Sequence, residues 1–158
     1  MKRELTLFVS LMLALSPLGS DFSAHAKMSP DSYRLFQESN ILEKDSNYSM
    51  AVEKIKKAIE LSPDEAILFI KLGGIYSEMG DWQNALVAYK KAIKLKPNDA
   101  VVYISIGNIL QQQHDYENAF SAYNQALTIF PEYKYNYLNL ANVKFLQGDN
   151  QEAIKYFK

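Results

Sequence analysis

GDWQNALVAYKKAIKLKPND occupies Gly80–Asp99, and thirty-four residues further on the chain reads HDYENAFSAYNQALTIFPEY, from His114 to Tyr133. The two stretches agree at Ala85 and Ala119, Tyr89 and Tyr123, Ala92 and Ala126, and Pro97 and Pro131. A period of this length marks stacked supersecondary units rather than one closed core. Carried outward, it divides the chain into four units, 32–65, 66–99, 100–133 and 134–158. Pro63 joins the proline column, Ala51 and Ala153 the first alanine column, and Ala58 the second. Tyr48, Trp82 and Tyr116 form an aromatic column.

Each unit reads as two helices. In the second, Phe69, Leu72, Gly73 and Tyr76 fall on one helical face, spaced i, i+3, i+4, i+7. Gly80-Asp81 is a turn, the glycine supplying the left-handed residue that ends a helix. Ala85, Tyr89, Ala92 and Ile93 then line a second helix, which Pro97 stops because proline cannot continue a helix interior. Gly73 and Ala85 let two backbones approach, while Tyr76 and Tyr89 fill the space beside them. No unit can bury its apolar face alone, so neighbours must stack into a continuous core. The expected fold is all-α, a helix-turn-helix repeat solenoid of about three and a half to four repeats over residues 32–158.

LGGIYSEMGDWQNALVAYKKAIKLKPND resembles the tetratricopeptide repeat, on the evidence of Leu72, Gly73, Tyr76, Ala85, Tyr89, Ala92 and Pro97. The third unit matches with Ile106, Gly107, Leu110, Ala119, Tyr123, Ala126 and Pro131. The first departs, with Glu38-Ser39 where Leu-Gly is expected, as suits a terminal repeat. The fourth keeps Leu140-Ala141 but has Lys144 in the aromatic column. The resemblance implies a right-handed superhelix whose first helices line a concave groove and whose second helices form the convex surface.

The front of the chain has another character. Lys2 and Arg3 precede the apolar run LTLFVSLMLALSPLG, Pro17 and Gly19 break it, and Ala24-His25-Ala26 offers a cleavage site. The run is too short for a membrane span, which needs about 20 apolar residues. Residues 1–26 are expected to be a cleaved export signal and 27–31 a linker. An uncleaved N-terminal anchor is the alternative. Either way the repeats are expected outside the cytoplasm, in the periplasm or a lumen such as that of the thylakoid.

Chemistry for catalysis is scarce. The formal charge of −1 lacks the positive surplus that nucleic-acid binding requires. Cysteine is absent, which removes disulfides, zinc thiolates and a thiol nucleophile. Of two histidines, His25 lies in the signal and His114 at a turn. Asp64-Glu65 reads as charge favourable to a helix N-terminus. There is no phosphate-cradling glycine loop and no metal-ligand cluster. No enzyme activity, cofactor, metal or small-molecule substrate is expected.

The lysines at 54, 56, 57, 90, 91, 94 and 96 read as a solvated convex surface. The groove side carries the candidate binding residues: Asn40, Ile70, Lys71, Gly74, Ile104, Ser105, Asn108, Tyr135, Leu138, Asn139 and Asn142. Asn40, Asn108 and Asn142 share one column, and an asparagine amide can both donate to and accept from an extended peptide. Ile70, Ile104 and Leu138 would add apolar contact. The lysine pattern by which some family members clamp a C-terminal carboxylate is absent. The expected function is an exported scaffold or assembly factor that holds a protein or peptide, a membrane-complex subunit among the candidates. The alternative is the targeting arm of a larger protein, such as a repeat-bearing glycosyltransferase. Lys158 falls inside the fourth unit's second helix, about nine residues short of the repeat's full length. A fragment is therefore expected, or else a native chain that ends here and frays, or an open last repeat covered by a partner or a second copy.

Overall fold

Residues 28–156 are described by the computed structural model, and among them eight helices follow one another. Four helix pairs result: α1 Pro30–Lys44 with α2 Tyr48–Leu61, α3 Ala66–Glu78 with α4 Trp82–Leu95, α5 Ala100–Gln112 with α6 Tyr116–Ile129, and α7 Lys134–Leu146 with α8 Asn150–Lys155. The described residues are an all-α solenoid. The signal proposed for residues 1–26, Lys27, and Phe157 with Lys158 lie outside them.

Local chemistry sets the boundaries. Ser29 caps α1 by accepting from the Ser32 amide, with Pro30 in the first turn, so the helix begins two residues before the expected unit. Asp81, Asp115 and Asp149 recur at the repeat period and cap α4, α6 and α8, each carboxylate accepting a backbone N–H three residues on. Such caps contribute about 1 kcal/mol each. The residue before each aspartate is left-handed: Gly80, His114 and Gly148 have φ of 73°, 61° and 83°, and Ser46 has 57° at the matching place in the first unit. That backbone turns the chain from first helix to second. The second helices α2, α4 and α6 end two residues before Pro63, Pro97 and Pro131.

Within units 2 and 3 the two helices meet through a tyrosine lying on a glycine. A Cβ at Gly73 would stand 2.7 Å from the Tyr89 ring, and one at Gly107 2.6 Å from the Tyr123 ring. Unit 1 solves the same contact differently. Ser39 stands at the glycine place, fully buried, and its hydroxyl donates to the Ala51 carbonyl at 3.1 Å. Ser32 does likewise to Ala58 at 2.8 Å. The atypical Glu38-Ser39 is thereby accounted for. Glu38 accepts from Lys54 Nζ at 2.6 Å, tying α1 to α2.

Between units, a second set of columns carries the packing. Leu68 and Ile75 of α3 bury against Ala51, Ile55 and Ala58 of α2. Val102 and Ile109 of α5 do the same against Ala85, Tyr89 and Ala92 of α4. The sequence reading had not singled these out. In α1 the matching places hold Arg34 and Ile41, both exposed, because no described unit stands before them. In α7 they hold Asn136 and Val143. Asn136 is fully buried and neither atom of its amide has a hydrogen-bond partner. Lys144, out of pattern in the aromatic column, places its ammonium 4.5 Å from the centre of the Phe120 ring.

Thermal melts of two variants test these packing assignments. Gly107→Leu should lose at least about 1–3 kcal/mol, since Tyr123 is buried and cannot withdraw. Asn136→Leu should gain stability by about 1–3 kcal/mol, the cost of burying an amide unpaired. A loss on Asn136→Leu would mean that its amide is satisfied.

Candidate functional site

The first helices α3, α5 and α7 line the side on which the candidate residues were placed. Their positions divide into three groups. Ile70 and Ile104 are half-buried and pack into the seam with the following unit, which leaves only part of each side chain to face a groove. Leu138 is the third member of that column and is 47% exposed, there being no following first helix among the described residues to cover it.

A second group is engaged within the protein. The Lys71 ammonium is paired with Glu43 of the previous unit, mostly shielded from solvent. Ser105 donates to the Val101 carbonyl of its own helix at 3.0 Å. Asn40 lies 3.5 Å from Gln37 Oε1, also within its helix. Asn108 is exposed, yet its Oδ1 accepts from the Tyr123 hydroxyl at 2.7 Å, with Gln111 Oε1 3.2 Å from the same hydroxyl. The asparagine column is therefore not a uniform ladder. Asn108 offers a ligand its N–H donors and the remaining lone pair of an Oδ1 already engaged by Tyr123, while Asn142 is exposed and Asn139 half-buried.

The third group faces outward. Val101 and Tyr135, at matching places of α5 and α7, are 65% and 63% exposed, and two turns along the same face the amides of Asn108 and Asn142 are exposed as well. Tyr135 continues an aromatic run: the Phe130 and Tyr133 rings stack at 5.8 Å, and Tyr133 and Tyr135 approach to 5.4 Å. Gly74 opens onto a hollow of about 290 Å³ between α3, α4 and α5, lined also by Ser77, Glu78, Trp82, Tyr89, Asn108 and Gln112. Trp82 and Gln112 were not anticipated there. Comparing Gly74 with Asn108 one period on would have disclosed the open space.

The convex side is less uniform than its lysines implied. Lys91 and Lys56 lie over the Phe69 and Tyr76 rings, each 5.8 Å from the centroid, and Lys57 pairs with Glu53 at 2.6 Å. A second hollow of about 460 Å³ opens there, its apolar part formed by Leu86, Ile93, Ile106 and Leu110. Among the described residues no group of acidic, histidine or cysteine side chains could hold a metal ion. No described helix is long and apolar enough to cross a membrane. His114 is exposed, and its Nδ1 lies 2.8 Å from the Tyr116 hydroxyl.

With this geometry in view, comparison with protein families is decisive. Residues 73–114 match the TPR repeat, and residues 100–133 and 135–158 match the tetratricopeptide repeat. The chain belongs to the tetratricopeptide repeat family. Residues 20–91 also match ChAPs (Chs5p-Arf1p-binding proteins). No curated protein matches the sequence. Among solved structures the tetratricopeptide chain is similar to MamA, at TM-score 0.76 and 22% identity over 88% of this chain and 80% of that one. A MamA from Desulfovibrio magneticus RS-1 gives 0.74 and 21%, covering 80% and 72%. The first TPR of Spaghetti (RPAP3), bound to the HSP90 peptide SRMEEVD, gives 0.72 and 18%, covering 76% and 95%. Identities this low support the shared fold.

Burial pushes the Tyr123 phenol up to about 12 from its usual 10. A raised phenol favours the folded state below the unfolded value and loses that contribution as pH climbs through the folded one. Stability of the tetratricopeptide chain should thus fall between pH 10 and 12 more steeply than that of Tyr123→Phe. Melting temperatures of the two proteins across that window check this, and parallel curves would refute it.

Proposed function

We propose that this chain is an interaction scaffold that holds a protein or peptide segment along its concave face. One observation carries the reading: Val101 and Asn108, and Tyr135 and Asn142, present an exposed apolar side chain and, two turns along the same helix face, an exposed amide at matching places of α5 and α7. Neither exposed apolar group stabilises the fold by burial. Repeated at the spacing of the units, the pair suits an extended segment that offers side chains and backbone amides in alternation. The MamA and RPAP3 structures support this, the latter having a peptide bound to the same kind of array. The ChAPs match adds a family whose name denotes protein binding.

Export is part of the proposal. Lys2 and Arg3, the apolar run after them and Ala24-His25-Ala26 have the order of a secretory signal, which would place the repeats in the periplasm or a lumen, serving assembly of a membrane-associated complex.

Two experiments test the proposal. In the native host, mass spectrometry should find a mature N-terminus at or near Lys27; a soluble cytoplasmic form that retains Met1 would overturn export. Tyr135→Ala with Asn142→Ala should weaken capture of the native partner at least about tenfold, or roughly 1.4 kcal/mol, without lowering the melting temperature. Reversing Lys90, Lys91 and Lys94 to glutamate on the convex side should do much less. The opposite ranking would remove the concave-face assignment.

A further inference from the structure

The hollow beside Gly74 differs from its counterpart one unit on, and the difference is chemical. In unit 3 the Tyr123 hydroxyl is closed over by Asn108 and Gln111. The corresponding places in unit 2 hold Gly74 and Ser77, and the Ser77 hydroxyl already donates to the Gly73 carbonyl at 2.9 Å. Tyr89, otherwise buried, therefore contributes to the lining of an open hollow.

Gly74 is not there for want of room. A Cβ at that position would meet only the Tyr89 hydroxyl, at an ordinary 3.9 Å, whereas Gly73 next to it has no space for one. Glycine inside a helix costs about 0.5–1 kcal/mol against alanine. Packing demands that cost at Gly73 and Gly107 but not at Gly74. What the glycine preserves is the empty volume.

The lining has a consistent polarity. Glu78 stands at the end of α3, exposed, and makes no ion pair among the described residues. Trp82 supplies an aromatic surface, and Asn108 and Gln112 carry carbonyl acceptors. Among the described residues no cationic side chain lines the hollow. A carboxylate, an indole face and several acceptors around one space suit a cation with several donors. Its volume of about 290 Å³ corresponds to roughly ten waters at about 30 Å³ each, enough for a long side chain with its charged head.

We propose that this hollow is a socket for a basic side chain, arginine or lysine, carried by the segment that the concave face holds. The inference rests on the scaffold reading above and adds the charge of the partner. An acidic tail would meet Glu78 unfavourably, the reverse of what a lysine-lined groove offers.

The test uses four dodecapeptide pools, each random except for a central arginine, lysine, glutamine or glutamate, selected on the full chain. Trp82 is the sole tryptophan, so its emission reports occupancy directly. The arginine and lysine pools should be enriched at least tenfold over the glutamine pool, and selected peptides should shift Trp82 emission. Glu78→Gln, an exposed change that leaves the fold intact, should weaken those peptides several-fold. Gly74→Asn places in unit 2 the side chain that closes the hollow in unit 3. It should abolish the preference for arginine and lysine without lowering the melting temperature. Equal enrichment of the glutamine pool, or unchanged binding by Gly74→Asn, would overturn the socket. If those peptides still lost affinity on Tyr135→Ala with Asn142→Ala, the concave-face reading would survive. Failure of all four pools to bind would overturn both.

Discussion

A tyrosine ring pressed flat against a helix backbone is the contact on which the other packing depends. At Gly73 and Gly107 the ring lies where a Cβ would be, so two helices come closer than any pair of side-chain-bearing surfaces would allow. That closeness sets the angle within units 2 and 3 and places Ala85 and Ala119 at zero exposure in the angle between them. The leucine, isoleucine and valine columns that join one unit to the next are positioned by the same approach. Unit 1 makes the contact with Ser39 instead, whose hydroxyl finds a carbonyl on the other helix and so avoids the penalty of burying a polar atom unpaired. Asn136 has no such partner, which makes the join between units 3 and 4 the one where packing and polarity disagree.

The tyrosines also connect the core to the surface. Each ring is held by a glycine, but its hydroxyl emerges on the concave side, where the next turn of the first helix decides its fate. Asn108 and Gln111 cover one hydroxyl, burial raises that phenol's pKa, and the surface there is closed. Gly74 leaves the other to line a hollow beside the Glu78 carboxylate and the single tryptophan. The same scaffold contact thus yields a sealed position in one unit and an open one in its neighbour. Repeats nearly identical in their packing columns can present quite different chemistry to a ligand.

Charge follows the same division. On the convex side lysines are drawn onto aromatic rings and neighbouring carboxylates, as at Lys91 over Phe69 and Lys57 with Glu53, which leaves that surface partly self-neutralised. On the concave side Lys71 is neutralised by Glu43 across the seam between units 1 and 2. Glu78 is left without such a partner among the described residues. An acidic point in a groove otherwise built of amides and apolar groups favours one sign of ligand.

Helix pairs, turn positions and the close approach at Gly73 were legible from the sequence, because each is a local or strictly periodic demand; the aspartate caps are as periodic but were not read there. A left-handed residue precedes each aspartate cap, a small residue faces the tyrosine ring in units 2 and 3, and a proline follows the second helix of the first three units. The candidate site was legible only in part. Periodicity placed Ile70, Ile104 and Leu138 on one stripe, but whether that stripe meets solvent or the next unit depends on how far neighbouring units rotate against each other, a quantity set by the packed side chains of both. Likewise nothing local to Asn108 says that its carbonyl belongs to Tyr123, fifteen residues away on the other helix. The hollow at Gly74 is a difference between two units that share a backbone course, and it becomes visible only when α3, α4 and α5 are brought together in space.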